Sequence, residues 1–417
     1  REIKTSADFY AFVVTLSAQV SSLTVLNFII NMNNNNIVTC IAPVNIAVIK
    51  YWGKRDDDLI LPVNDSISLS LDTKQLCTKT TVMASPNFKE DKIWLNGREE
   101  SMNNKRLQNC LQRIKSKVTL TNEMELWKIH ICSNNNFPTA AGLASSAAGY
   151  ACLTAALAKL YNYTENISEI ARTGSGSACR SVFGGFVRWY MGSEPTGVDS
   201  ISKQIAPASH WPEMRVIILV VNDSSKKISS AVGMKRCVQT SELLKYRAEV
   251  CVPKRVELMQ KAIINKNYQQ FAELTMKDSN QMHAVCLDAY PSFNYLTDVS
   301  HAIIDLINSY NEASNTIKVA YTNDAGPNTV LYLLEENVPQ VLGLIDHFFP
   351  STGKDDYKRG DFPISIPPSK DLVEKLNCKK HQGSIKSIIY TRVGESPTYL
   401  DDPSEHLLNN SGLPKGL

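Results

Sequence analysis

Apolar and polar positions change period several times along the chain, and each change predicts an element. Residues 38–42 and 46–49 are β-rich, and Ser66-Ile-Ser-Leu-Ser-Leu71 alternates polar and apolar side chains as a half-buried strand does. Strands are expected at 78–83 and 92–95, the second running into Asn96-Gly97, the dipeptide of a tight hairpin turn. Residues 104–117 have helical spacing, 127–132 read as a strand, and 142–161 as a long helix of small residues. After a turn-rich link at 207–212 come an apolar strand at 215–221, helical stretches near 240–265 and 268–286, and a helix at 295–310. Strands follow at 317–321 and 329–334, and the Gly-, Pro-, Lys- and Asp-rich residues 351–370 read as a loop. No internal repeat is evident. Strands and helices mix without regular βαβ alternation, which predicts an α+β chain of two lobes, 37–210 and 211–417, with residues 1–36 outside the fold.

Composition narrows the classes. The 417 residues are 43% hydrophobic and 20% charged, enough for a sizeable core and too apolar for wholesale disorder. A net charge of +3 is too small for a nucleic-acid partner, so any acidic ligand must be met by local positive charge. No charged side chain stands between Asp8 and Lys50, a gap that contains the apolar run 9–30. That run admits three readings: a non-native or loosely attached extension, a membrane or signal element, or a helix of the fold. Seven of its 22 residues are polar and Met32 opens the polar Asn stretch after it, so the extension is favoured and no membrane association is expected. The ten cysteines stand singly, without a C-x-x-C pair, which points to a reducing, cytoplasmic setting and away from a zinc site or disulfide framework.

Four segments carry candidate chemistry. Phe137-Pro-Thr-Ala-Ala-Gly-Leu-Ala-Ser-Ser-Ala-Ala-Gly149 joins a strand to a helix through small residues, which lets a phosphate approach unpaired backbone N–H groups; a close-packed helix face explains it equally well. Gly174-Ser-Gly-Ser-Ala-Cys-Arg-Ser181 pairs glycines and hydroxyls with Arg180, whose planar fork suits a carboxylate or phosphate; a surface turn is the alternative. Lys50-Tyr-Trp-Gly-Lys54 gathers cationic and aromatic groups at a strand end, although a solvated turn would look the same. Ala320-Tyr-Thr-Asn-Asp-Ala-Gly-Pro-Asn328 presents Asp324 on a tight turn between apolar strands, and Asp before Gly-Pro is also a common turn former. The P-loop, G-x-G-x-x-G and G-x-S-x-G patterns are absent.

Together these segments resemble the mevalonate diphosphate decarboxylases, a family of the GHMP small-molecule kinase superfamily. The resemblance extends through Ile93-Trp-Leu-Asn-Gly97, Met276-Lys-Asp-Ser-Asn280 with His283-Ala284, Ile388-Ile-Tyr-Thr-Arg-Val-Gly394 and Leu400-Asp-Asp-Pro403, covering residues 37–417. It implies a two-lobed GHMP-kinase-like fold, an N-terminal β-α-β lobe with an ATP loop and a C-terminal ferredoxin-like lobe, the C-terminal tail packing back. It implies ATP-dependent decarboxylation of mevalonate 5-diphosphate to isopentenyl diphosphate, ADP, phosphate and CO2, with ATP and Mg2+ as cofactors, in a homodimer.

The residues follow from the same resemblance. Asp324 would act on the C3 hydroxyl, with Lys50 as the cation beside it, and Ser146 would lie near the transferred group and the metal. Arg180 and Asn45 would hold the substrate carboxylate. Tyr51, Trp52, Gly53, Lys54, Arg106, Ser175, Gly176, Ser177, Ala178, Cys179 and Arg180 would surround the diphosphate, and Pro138, Ala141, Gly142, Leu143, Ala144, Ser145 and Ser146 the ATP phosphates. Three positions depart from the family pattern: Ala231 replaces a threonine, Ser292 a proline, and Gly394-Glu-Ser-Pro-Thr398 a Gly-Pro-rich turn. Two rivals remain, a GHMP kinase that stops at phosphorylation and a non-catalytic binding protein that keeps the fold.

Overall fold

Pro43 has no N–H to continue a ladder, and at this point the chain leaves one sheet for another. Strand β1 (Ile37–Pro43) pairs antiparallel with a later strand from Ile37↔Met83 to Pro43↔Cys77, whereas β2 (Asn45–Ile49) belongs to a different sheet. The structure, a computed structural model, describes residues 37–119, 122–137, 145–221, 227–353 and 357–416. The apolar run 9–30 and the small-residue loop at 138–144 lie outside the described residues.

A short hairpin of β3 (Lys54–Asp56) and β4 (Leu61–Pro62) follows, then β5 (Ser66–Ser70), which returns beside β2 with Asn45 opposite Ser70. β6 (Cys77–Ser85) precedes the hairpin β7 (Lys92–Leu95) and β8 (Arg98–Glu100), turned at Asn96-Gly97 with φ of 49° and 79°, as expected for this dipeptide. Helix α1 (Lys105–Ser116) starts where the Asn104 side chain accepts from the Arg106 and Leu107 N–H groups. It buries Leu107, Cys110, Leu111 and Ile114, one face at helical spacing. After α2 (Asn122–Leu126) and β9 (Lys128–Asn135) comes α3 (Ser145–Leu160), whose Ala-rich middle is buried. Short helices α4 (Ser168–Gly174) and α5 (Ala178–Ser181) lead into β10 (Phe186–Trp189) and β11 (Ser202–Ala206).

In the second half β12 (Met214–Val220) precedes α6 (Ser230–Thr240), α7 (Glu242–Tyr246), a π-helical turn Arg247–Cys251, α8 (Val252–Ile264) and α9 (Tyr268–Asp288). The helical stretch expected near 240–265 is present from Glu242 to Ile264 with a π-helical turn inside it, and the Ser241 hydroxyl, which accepts the Leu244 N–H, separates it from α6. Helix α10 (Asp298–Ala313) begins later than 295 because Thr297 and Ser300 form a capping box. Next come β13 (Val319–Asn323), β14 (Thr329–Leu334), α11 (Val338–Phe348), β15 (Lys358–Arg359), α12 (Lys370–Leu376), β16 (Ser387–Arg392) and β17 (Thr398–Leu400).

The sheets run β17-β1-β6-β9-β7-β8, β11-β10-β5-β2 and β13-β14-β12-β16-β15, an α+β arrangement. β12 is central in the third, and its side chains alternate between two cores. Val216, Ile218 and Val220 pack with Ile46, Ile67, Phe186 and Phe271, while Ile217 and Leu219 pack with Leu306 and Leu342. The first of these cores joins the two halves of the chain, and the Tyr332 hydroxyl donates to the Ile46 carbonyl at 3.1 Å across the same boundary. β17 crosses back to pair with β1, Cys40 opposite Tyr399. All ten cysteines are free thiols. Among the described residues, no helix is long and apolar enough to cross a membrane.

One expectation is overturned. β5 is buried on both faces, so the serines of the 66–71 alternation do not look to water. Ser66 and Ser68 look to a guanidinium, and Ser70 donates to the Phe183 carbonyl at 2.7 Å.

Candidate active site

Strands from different halves of the chain deliver the central pair. β2 is buried throughout and is followed directly by Lys50, itself 2% exposed. β13 is buried throughout and ends at Asn323, which puts Asp324 on the turn before β14. Lys50 Nζ reaches Asp324 Oδ1 at 2.6 Å. The lysine side chain is 3% exposed and the aspartate 35%, so the pair has a dry end and an open end.

Arg180 sits on α5 and is 2% exposed. Its Nε donates to Asn45 Oδ1 at 3.2 Å and Ser68 Oγ at 2.9 Å, and its Nη1 to Ser66 Oγ at 2.7 Å. Its carbon lies 5.8 Å from the Trp189 ring centroid. Every one of these partners is neutral, and among the described residues no carboxylate pairs with it. Burial pushes the guanidinium below its usual range, with Cys179, Asp324 and Tyr51 opposing the shift. A buried cation held only by neutral groups is costly, and an anionic ligand would relieve the cost.

Asn45 uses its whole amide inside the protein: Nδ2 donates to the Ser177 carbonyl at 3.0 Å and Ser181 Oγ at 2.7 Å, while Oδ1 takes Arg180. It orients the arginine. Tyr51 packs against Trp189 with centroids 4.7 Å apart, and among the described residues its buried hydroxyl has no hydrogen-bond partner. Trp52 donates Nε1–H to Cys237 Sγ at 3.3 Å, and Lys54 pairs with Asp57 at 2.5 Å. Gly176 is needed for close approach, since a Cβ there would stand 2.7 Å from Tyr51 Cε1. Ser146 Oγ, on the first turn of α3, lies 3.4 Å from Ser175 Oγ.

Asn45, Lys50, Tyr51, Trp52, Lys54, Arg106, Ser145, Ser146, Ser175, Gly176, Ser177, Arg180 and Asp324 all line one cavity of about 460 Å³. Four cations and one carboxylate face it, which makes it an anion receptor. Gly53, Ala178 and Cys179 are buried behind its wall, and Gly53 takes a φ of +97° at the turn out of β2. Pro138, Ala141, Gly142, Leu143 and Ala144 lie outside the described residues.

Ser230, Ala231 and Met234 on this wall come from the segment in which Ala231 departs from the family pattern, whereas sequence reasoning missed Ser229 and Met282, with the helix-capping serine at 229 the one signal among them. It also missed Ser66 and Ser68. A second cavity of about 920 Å³, lined by Asn104, Leu107, Tyr150 and others, shares Ser145 and Ser146 with the first. The two spaces meet at the start of α3. Among the described residues no group of three or more His, Cys, Asp or Glu could hold a metal ion.

Residues 42–202 match the family described as the diphosphomevalonate decarboxylase-like N-terminal domain, and residues 216–400 the mevalonate 5-diphosphate decarboxylase C-terminal domain. The diphosphomevalonate decarboxylase of Bos taurus is 51% identical over 389 residues, 91% of this chain and 97% of that protein. A mevalonate diphosphate decarboxylase structure from Trypanosoma brucei superposes with a TM-score of 0.82 at 37% identity, covering 89% and 100% of the two chains. A solved complex with MVAPP, AMPPCP and magnesium has a TM-score of 0.69 at 30% identity, covering 88% and 99%.

Proposed function

The chain belongs to the mevalonate 5-diphosphate decarboxylase family, and from that premise we propose how its residues divide the work. It decarboxylates mevalonate 5-diphosphate, and its fold is that of the GHMP kinases. The observation that carries the residue assignment is one cavity holding both the Lys50–Asp324 pair and a buried Arg180 without an acidic partner.

In this assignment the substrate fills the 460 Å³ cavity. Its carboxylate takes the charge of Arg180, which Asn45, Ser66 and Ser68 hold in place. Its diphosphate lies among Lys54, Arg106, the Tyr51 hydroxyl and the Ser175–Ser177 backbone, whose closeness to Tyr51 depends on Gly176. The free oxygen of Asp324 receives or orients the C3 hydroxyl proton, while Lys50 balances the charge that develops beside it.

The 920 Å³ cavity suits ATP, because it opens onto the first turn of α3 and meets the substrate space at Ser145 and Ser146. Ser146 would help hold Mg2+ beside the nucleotide, and ATP would supply the phosphoryl group that makes the C3 hydroxyl a leaving group. The chain's residues then act by position and charge: Arg180 keeps the carboxylate aligned with the breaking bond. On the family resemblance we also propose two lobes, 37–210 and 211–417, and a cytoplasmic homodimer.

The test is product analysis with mevalonate 5-diphosphate and ATP. CO2 and inorganic phosphate released in equal amounts support the assignment, whereas a GHMP kinase that stops at phosphorylation would release neither.

A further inference from the structure

Lys50 and Asp324 come from sheets in different halves of the chain, yet one turn of a single helix touches the backbone beneath both. On α9, Asp278 and Ser279 are followed one turn later by Met282 and His283, and all four are buried. Asp278 Oδ1 accepts the Lys50 backbone N–H at 2.8 Å. The Lys50 carbonyl accepts from Arg247 Nη2 at 3.2 Å and from Asn64 Nδ2 at 3.1 Å. Arg247 lies on the π-helical turn, is fully buried, and grips Asp278 through both nitrogens at 2.7 and 2.9 Å. Arg255 adds a third charged contact to Asp278 at 3.0 Å.

The other half is held the same way. Ser279 Oγ accepts the Asn323 N–H at 2.9 Å, and His283 Nε2 stands 3.3 Å from the Asn323 carbonyl. A carbonyl only accepts, so Nε2 carries the proton and Nδ1, which has no hydrogen-bond partner among the described residues, does not. Asn323 in turn closes the following turn by donating Nδ2–H to the Asn328 carbonyl at 3.0 Å and Thr329 Oγ1 at 2.9 Å. Asp324 is the next residue. Both backbone groups of Lys50 and both of Asn323 are thus tied, directly or through Arg247, to residues 278–283.

We propose that Asp278, Ser279 and His283 are positioning residues that make α9 a template for the 2.6 Å Lys50–Asp324 contact. The strands bring the two side chains near each other; the helix sets their separation and angle. The charge of Asp278 is neutralised by two guanidinium groups, and through one of them it reaches the Lys50 carbonyl. Its task is to hold the Lys50 amide directly and the carbonyl through Arg247.

The proposal rests on the assignment of Lys50 and Asp324 to the chemistry, so Asp324→Ala is measured beside the helix variants. Ser279→Ala removes one hydroxyl and little volume. It is expected to lower kcat about tenfold while KM for mevalonate 5-diphosphate and for ATP stays within about twofold, as a small misplacement of reacting groups does. Asp278→Asn, which keeps an oxygen for the Lys50 amide but loosens both arginines, is expected to lower kcat about a hundredfold. A residue that only supports the fold would lower Tm and the fraction of active sites but leave kcat per site unchanged. A folded Ser279→Ala enzyme with wild-type kcat, or with its loss confined to KM, overturns the template even if Asp278→Asn fails to fold. Full turnover in Asp324→Ala overturns the underlying assignment instead.

Discussion

Arg180 Nη1 donates to Ser66 Oγ across 2.7 Å, so the buried cation of the substrate cavity is held by a hydroxyl and not by a carboxylate. An internal acid in that place would satisfy the charge and leave little for a ligand. Serine orients the fork without neutralising it.

Removing that charge should therefore separate function from stability. Arg180→Gln is expected to lower kcat/KM for mevalonate 5-diphosphate roughly 10- to 150-fold, the ~1.5–3 kcal/mol of a charged hydrogen bond. Its Tm should equal or exceed that of the wild type, because an uncompensated buried cation is gone. Steady-state kinetics and thermal melts on the same preparation check both halves.

Asp324→Ala should behave in the opposite way. Turnover is expected to drop by about 10²- to 10⁴-fold, the range for loss of a positioned acid–base group, while nucleotide still binds. Its Tm should fall, since Lys50 is left buried without its partner. Adding Lys50→Met should restore part of the lost Tm and none of the activity. CO2 release, nucleotide titration and melting curves read the three effects.

His283 gives the protein an acid-sensitive core. Burial first, and the charge of Lys50 second, push its imidazole from 6.5 down to about 4. Above 6.5 the ring is neutral whether the chain is folded or not, and it costs nothing. As pH falls from 6.5 to about 4 only the unfolded chain takes the proton, which withdraws about 3 kcal/mol of stability. His283→Gln should flatten the dependence of unfolding free energy on pH across that interval, as denaturant titrations at several pH values would reveal.

Ala231 lines the cavity on the first turn of α6, where the family pattern has threonine. Restoring the hydroxyl with Ala231→Thr is expected to lower KM for mevalonate 5-diphosphate about fivefold, the ~1 kcal/mol of one neutral hydrogen bond. KM for ATP should not change.

What the sequence discloses depends on how far apart the partners lie. Helix α1 is readable because its cap, Asn104, and its buried face from Leu107 to Ile114 sit within its own span. The segments around Lys50, Ser146, Arg180 and Asp324 are readable because each is contiguous and rich in residue types that suit phosphate or carboxylate. The short strands β10, β11, β16 and β17 are not, being defined by neighbours rather than by period. The alternation at Ser66–Ser70 is real, but sequence does not distinguish a polar face turned to water from one turned to a buried guanidinium. Asp278 is hardest of all. On α9 it stands in the Met276–Asn280 segment that carries the resemblance, but nothing local marks its task, because its partners stand 228 residues upstream at Lys50 and 31 upstream at Arg247.

The pairing of β17 with β1 bears on how the protein is made. β1 waits for a strand made more than 350 residues later, and until Thr398–Leu400 arrive its edge of the sheet offers unpaired N–H and C=O groups to any passing strand. Nascent chains held at the ribosome, or released early by truncation before residue 398, should be sticky and dependent on chaperones in a way the finished enzyme is not. β17 acts as a latch, closed only after residues 398–400 have been made.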